Sequence, residues 1–353
     1  MAEDCGRREG IKMSIKFKDG TEVGQGWSPY VIAEVNSSHN GDVNVAKKMI
    51  DAAVECGCNC VKFQSWSTES LYSKTYYAQN PISKRFVKKF ALSEEQLLDI
   101  VEYCSEKKIA FSSTPYSKKE VDFLVKNKVP FIKIASMELN NYDFLEYIAK
   151  TGFPIVLSTG MGDMDEIRKA VSVIESAGNK NICLLHCISI YPAAPETINL
   201  YNICMLKNEF PDYTIGFSDH SIGTEMASAA IALGACLIEK HLTLDKTKIG
   251  MDNQMATEPD EMKKLVDSCR NVQQALGSYE RIVSKEEIEQ RTKMRRSLIY
   301  VRDMKAGEII GAEDLDGKRP GIGVALDDKK KYLGRTLRHD VESDTLLEEK
   351  DFM

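Results

Sequence analysis

The feature that most restricts this chain is a rhythm of short apolar runs, each followed by a stretch of helical periodicity. Runs at 30–35, 59–64, 110–113, 131–135, 155–158, 182–187, 213–217 and 236–239 are largely apolar, as strands buried on both faces must be. Between and after them, apolar residues recur at helical spacing over 43–56, 93–107, 118–127, 141–150, 164–177, 200–209, 224–234 and 259–276. Start signals agree: Ser93-Glu94-Glu95-Gln96 reads as a capping box, and Asp163 stands before another helix. Eight strands alternating with eight helices predict an α/β fold, a (β/α)8 TIM barrel. Such a barrel takes about 250 residues, and the 353 present leave room for a second domain. An open doubly wound sheet is the alternative, because alternation alone does not specify closure.

The flanking stretches read differently. Residues 1–13 are polar and predicted to be loose, and 16–26 suggests a hairpin over the barrel floor. The segment 65–91 is long, aromatic and basic (Tyr72, Tyr76, Tyr77, Lys84, Arg85, Lys88, Lys89), which suits a lid, a subunit contact or a solvated loop. After Gly277 the composition shifts. Residues 281–296 are strongly charged and read as a linker; from Ser297 onward, short strand-like pieces separated by turns predict a mostly β module of about 60 residues. The expected division is therefore a catalytic barrel with a short N-terminal extension over 1–280, a linker over 281–296 and a small domain over 297–353.

Charge and cysteine usage narrow the class. A net charge of −6 gives no general attraction to nucleic acid or acidic membranes. No run of about 18 apolar residues occurs and no apolar segment follows a basic start, so a cytoplasmic protein is expected. Of ten cysteines, Cys183, Cys187 and Cys236 sit inside apolar runs and read as small buried hydrophobes. Cys56, Cys58 and Cys60 alternate, which is not a zinc spacing.

The chemistry concentrates where the runs end. Two of them stop at clusters containing His220 and His241, and the stretch between reads as a helix rich in small residues. In a βαβ unit both strands point the same way, so both histidines fall at the carboxyl edge, where parallel folds place their active sites. A single histidine there would more often cap a strand end; two at matching ends point to one divalent metal ion, with Asp219, Asp245 and Asp252 as further oxygen donors or bases. Other strand ends carry Lys62 and Gln64, Ser113 and Thr114, Lys133, Ser136 and Glu138, Ser158 and Thr159, Ser189 and Tyr191, and Ser218. Two lysines among hydroxyls on a concave face suit a phosphate monoester, and Gly160 and Gly162 permit close approach of backbone amides. Lys133 is also a candidate for a Schiff base with a carbonyl substrate, but the phosphate-type groups around it favour a charged amine.

These residues occur within IAEVNSSHNGD (Ile32–Asp42), VKFQS, FSSTPY, KIASMELNN, IVLSTGMG, LLHCISIYP, IGFSDHSIG, IEKHLTLD and KRPGIG. In that order they resemble the sialic acid synthase family, from about Ser28 to the C-terminus, including a C-terminal antifreeze-like (SAF) domain. The resemblance implies condensation of phosphoenolpyruvate with an N-acetylated hexosamine such as N-acetylmannosamine, giving a nine-carbon 2-keto-3-deoxy acid and phosphate. It implies that His220 and His241 bind Mn2+ or Mg2+. Lys62, Thr114, Lys133, Ser136, Ser158 and Ser218 would hold phosphoenolpyruvate. Gln64, Glu138, Tyr191 and Asp252 would face the sugar, with Glu34 close to the reacting atoms. Water must lose a proton in this reaction, and Glu34 and Glu138 are both candidate acceptors. Arg319 would reach the active site of the partner in a domain-swapped homodimer.

Three departures fall on the sugar side: Gly250-Met251-Asp252-Asn253 keeps the aspartate but not the proline and histidine of GPDH, Ser189 replaces asparagine or threonine, and Ile322 replaces an asparagine. Legionaminic, pseudaminic or deaminated acids are therefore alternative products. A non-catalytic carbohydrate-binding protein is the alternative of a different class, opposed by the many ionisable groups at the barrel mouth.

Overall fold

The computed structural model describes residues 13–248, 250, 252–278 and 280–353; the expectation of a loose start over 1–12 lies outside them. A hairpin comes first, β1 (Ser14–Lys16) against β2 (Glu22–Gly24), antiparallel. Its Ile15, Phe17 and Val23 are buried against Tyr30, Phe131 and Leu237, so the hairpin closes the floor of the sheet that follows. Eight parallel strands then run β3 (Tyr30–Glu34), β4 (Cys60–Ser65), β5 (Ala110–Pro115), β6 (Ile132–Ile134), β7 (Ile155–Ser158), β8 (Ile182–Cys187), β9 (Thr214–Asp219) and β10 (Leu237–His241).

Their order is β5-β4-β3-β10-β9-β8-β7-β6, so the last strand pairs with the first. The remaining seam lies between β5 and β6, where Ser112 Oγ donates to the Phe131 carbonyl at 3.1 Å. This is the barrel, not the open sheet. Helices cover the outside because their apolar stripes face it: Ala46, Met49, Ile50 and Ala53 from Val43–Glu55, for example, join the main core with Val31, Val61 and Phe63.

The strands extend further than the apolar runs at two places that matter. β9 reaches Asp219 and β10 reaches His241, since polar side chains that point into a barrel interior interrupt the apolar pattern without ending the strand. The segment 65–91 holds two helices, Lys74–Gln79 and Pro81–Phe90, whose Tyr77, Val87 and Phe90 bury with Trp66 in a small core of their own.

The chain divides into two compact units, Met1–Gly277 and Ser278–Met353. In the second unit the stretch expected to be a linker carries an exposed helix, Lys285–Met294, capped by Ser284. β11 (Ser297–Tyr300) pairs antiparallel with β12 (Leu315–Lys318), and short bridges such as Met304 with Val341 and Leu337 with Phe352 complete the module. Its core includes Leu298, Tyr300, Ile310, Leu337 and Leu347.

Candidate active site

A cavity of about 360 Å³ opens at the carboxyl ends of the barrel strands. Period-two alternation sends Glu34, Lys62, Ser158, Ser218, Glu239 and His241 into it from five of the strands, β3, β4, β7, β9 and β10. Gln64, Thr114, Lys133, Ser136, Ser189, Tyr191, His220 and Asp252 also line it.

Lys62 and Lys133 are buried, and their ammonium groups share one carboxylate. Glu239 Oε2 lies 3.8 Å from Lys62 Nζ, and its Oε1 lies 3.8 Å from Lys133 Nζ and accepts from Ser218 Oγ at 3.1 Å. Lys62 also contacts the Glu34 carboxylate and donates to Thr114 Oγ1 at 3.0 Å. Lys133 donates to Ser158 Oγ at 2.7 Å and to the Ile134 carbonyl at 3.1 Å. Burial works against the charge of both lysines. At Lys62 the two glutamates outweigh it and raise the pKa; at Lys133 burial wins and lowers it.

Glu34 shows the opposite balance. Burial raises its carboxyl to about 7, although Lys62 pulls the other way. Its Oε1 accepts from the Asn36 amide at 2.9 Å and from Gln64 Nε2 at 3.2 Å, and Gln64 accepts from Tyr116 OH at 2.8 Å. Burial also raises Asp252, whose carboxylate is bonded by Asn36. Glu239 stays below its ordinary value, because Lys133 and Lys62 outweigh its burial.

The imidazoles of His220 and His241 lie 5.5 Å apart, with the Tyr191 ring 4.2 Å from that of His220. His220 Nδ1 is 2.7 Å from the Ile188 carbonyl; with its proton committed there, Nε2 keeps a lone pair toward the cavity. Burial, followed by the positive charges around it, pushes His241 well below its ordinary value and keeps it neutral. Burial opposes charge on His220 as well, yet Cys187, 3.9 Å from Nδ1, and Ile188 outweigh it and raise the pKa. Two imidazoles on one cavity fit a divalent ion, whose charge would displace any proton from His220, although no group of three or more His, Cys, Asp or Glu among the described residues is arranged to hold one.

Several expected residues fall elsewhere. Glu138 is absent from the cavity wall; the short turn Ser136–Glu138 brings it to Asn141, whose Nδ2 donates to it at 2.6 Å. Asp219 faces away from the cavity and pairs with Lys240 at 2.9 Å, and half-buried Asp245 accepts from the Thr247 amide at 2.9 Å. Arg319 is exposed on the second unit. In the STGMG stretch, Gly160 is needed for close approach: a Cβ there would meet Ser189 Oγ at 2.5 Å and Ser136 Oγ at 2.7 Å. Glu239, Tyr116, Asn36 and Trp66 were given no role from the sequence, although all line the cavity, and Tyr72 of the segment 65–91 lines it as well. For Glu239 a signal was present, a lone carboxylate inside the run CLIEKH two residues before a histidine.

Residues 49–281 match the model of the NeuB family, and residues 295–353 match that of the SAF domain. The chain belongs to the NeuB family. Among relatives, the N,N'-diacetyllegionaminic acid synthase of Campylobacter jejuni is 37% identical over 330 residues, covering 90% of this chain and 98% of that protein. The N-acetylneuraminate-9-phosphate synthase of Homo sapiens is 34% identical over 349 residues, covering 96% and 97%. A crystal structure of an N-acetylneuraminic acid (sialic acid) synthetase from Leptospira borgpetersenii, in complex with citrate, superposes with a TM-score of 0.74 at 32% identity, over 80% of this chain and 96% of that one. This NeuB-family chain thus has relatives with differently named products across nearly its whole length.

Proposed function

We propose that this chain condenses phosphoenolpyruvate with an open-chain N-acetylated hexosamine to give a nine-carbon 2-keto-3-deoxy acid and phosphate. The observation that carries this reading is the pair of buried lysines, joined through Glu239 and ringed by Thr114, Ser136, Ser158 and Ser218, opposite two imidazoles in one cavity. Lys62 and Lys133 hold the phosphate and carboxylate of phosphoenolpyruvate, and the hydroxyls donate to their oxygens. Gln64, Ser189, Tyr191 and Asp252 line the remaining wall and orient the sugar.

Glu34, Glu239 and Asp252 share the cavity with Lys62 and Lys133 and offset part of their positive charge. His220 and His241 would hold Mn2+ or Mg2+. When bound, that ion supplies positive charge and polarises the sugar aldehyde oxygen. The methylene carbon of phosphoenolpyruvate bonds to the aldehyde carbon as its π bond to oxygen breaks and that oxygen takes up a proton. Water adds at the resulting cationic enol carbon, and phosphate departs with the bridging oxygen as the added hydroxyl gives up its proton and becomes the keto oxygen. Glu34 takes the water's proton: it lines the cavity, and at about 7 it ionises near neutral pH. Glu138, which is not among the lining residues, is the alternative acceptor.

The sugar is N-acetylmannosamine in the first instance. A diacetylated acceptor is the second reading, favoured by the similarity to the legionaminic acid synthase. Phosphate release from phosphoenolpyruvate, measured with a panel of mono- and diacetylated hexosamines and their phosphates, separates the two; no release with any of them would refute the condensation.

Arg319 is assigned to the sugar of the partner's site in a domain-swapped dimer. Mixed His220→Ala and Arg319→Ala subunits should regain activity that each homodimer lacks, whereas no recovery on subunit exchange would remove this assignment.

A further inference from the structure

We propose that Lys240, Asp219 and Ser221 form a positioning device behind the two histidines and set the spacing of their imidazoles. The inference rests on the reading of His220 and His241 as ligands of a divalent cation.

The ladder between β9 and β10 ends at the Asp219–Lys240 pair of partners. His220 lies one residue beyond that last rung, where its carbonyl accepts from the Ala193 amide at 3.0 Å but no β10 partner faces it. Lys240 reaches past the end. Its Nζ donates to Asp219 Oδ2 at 2.9 Å and to the Ser221 carbonyl at 2.5 Å, on either side of His220. Asp219 Oδ1 closes the turn by accepting from the Ser221 amide at 2.8 Å and from Ser221 Oγ at 2.6 Å. One ammonium, on the residue preceding His241, therefore grips both neighbours of His220.

Burial argues that the pair is kept for geometry. Both side chains are completely buried, and Ser221 is 3% exposed. Taking two charges fully out of water seldom adds stability over an apolar pair of similar size, so a structure that keeps them gains directional hydrogen bonds that leucine or methionine cannot supply. Neither Asp219 nor Lys240 lines the cavity, whereas Ser218, His220, Glu239 and His241 do. The device acts on the metal site from behind and touches no substrate.

The test uses Asp219→Leu/Lys240→Met, which replaces the pair by apolar groups, and Ser221→Ala, which removes one hydroxyl and is mild enough to fold should the double variant fail. Each full-length protein is stripped of metal and titrated calorimetrically with Mn2+ alone, then separately with phosphoenolpyruvate. The expected result is a Kd for Mn2+ weakened about 10- to 100-fold in the double variant, the range for loss of a partner that orients a metal ligand, and several-fold in Ser221→Ala. Phosphoenolpyruvate binding to the stripped proteins should weaken far less than Mn2+ binding, because Lys62 and Lys133 lie on other strands and the neighbouring Ser218 and Glu239 are held by the β9–β10 ladder itself. Unchanged Mn2+ affinity in the folded variants, or equal loss of both ligands, overturns the inference. A wild-type protein that takes up no Mn2+ overturns the metal reading itself, and this inference with it.

Discussion

The two ends of the barrel are built from the same strands, two residues apart, and have opposite chemistry. At the floor, Ile32, Cys60, Phe131, Val156 and Leu237 form a closed apolar layer with the hairpin. One step of the strand period higher stand Glu34, Lys62, Lys133, Ser158 and Glu239, all in the cavity. The two-residue step holds along each strand, but the pairing between strands is staggered: Ile32 pairs with Cys60 and Glu34 with Lys62, whereas Glu239 pairs with Ile32 and Lys133 with Val156. The difference teaches where each cost is carried. Burying lysines and glutamates at the upper layer is unfavourable for folding, while the floor and the helical shell bury large apolar side chains and supply stability. Substitutions at the two layers should therefore separate, the upper changing catalysis and the lower changing stability.

The largest expected effect is at the upper end. Exhaustive chelation should abolish turnover and Mn2+ should restore it; full activity in protein shown to be metal-free would break the account of His220 and His241. Glu34→Gln comes next, with a loss of about 10²–10⁴-fold in kcat, the usual contribution of a positioned base. Wild-type activity should rise with pH through about 7 as Glu34 ionises, and the variant should lose that limb. Stability runs the other way. A carboxyl raised in the folded state favours folding most below its unfolded pKa, and that contribution is lost as pH rises through about 7. Denaturation midpoints of Glu34→Gln should lack this decline, and an unchanged pH profile would reassign the base.

Lys133→Met should lower kcat/KM for phosphoenolpyruvate about 10- to 150-fold, the value of a charge-assisted contact of about 1.5–3 kcal/mol. Retained saturation kinetics would remove Lys133 from the anion site. The smallest kinetic effect belongs to the floor. Phe131→Ala, two residues below Lys133, should cost about 3–5 kcal/mol of stability by urea denaturation, with kcat/KM of the folded enzyme within about twofold of wild type. A large kinetic loss there would mean that the layers are coupled and the comparison fails.

The barrel was legible because strands buried on both faces must be apolar, and their spacing left room for one helix each. Lys62, Lys133 and the two histidines were legible as polar residues where such runs stop. Glu239 and Tyr116 were harder, since only the register shows that Glu239 points between two lysines and that Tyr116 supports Gln64. Asp219 and Glu138 lie off the cavity wall for local reasons: one alternates with Ser218 on β9 and pairs with Lys240, and the other is carried to Asn141 by a short turn. The helix Lys285–Met294 has no buried residue, so it left no apolar stripe to read.

The proposed reaction joins phosphoenolpyruvate to a sugar aldehyde in this cavity and releases phosphate by breaking a carbon–oxygen bond. The most direct measurement is turnover of phosphoenolpyruvate and N-acetylmannosamine, or whichever acceptor supports phosphate release, in 18O-labelled water, with both products analysed by mass spectrometry before the keto group exchanges. Label in the nine-carbon keto acid and none in phosphate is the predicted result. Label in phosphate would show phosphorus–oxygen cleavage and contradict it.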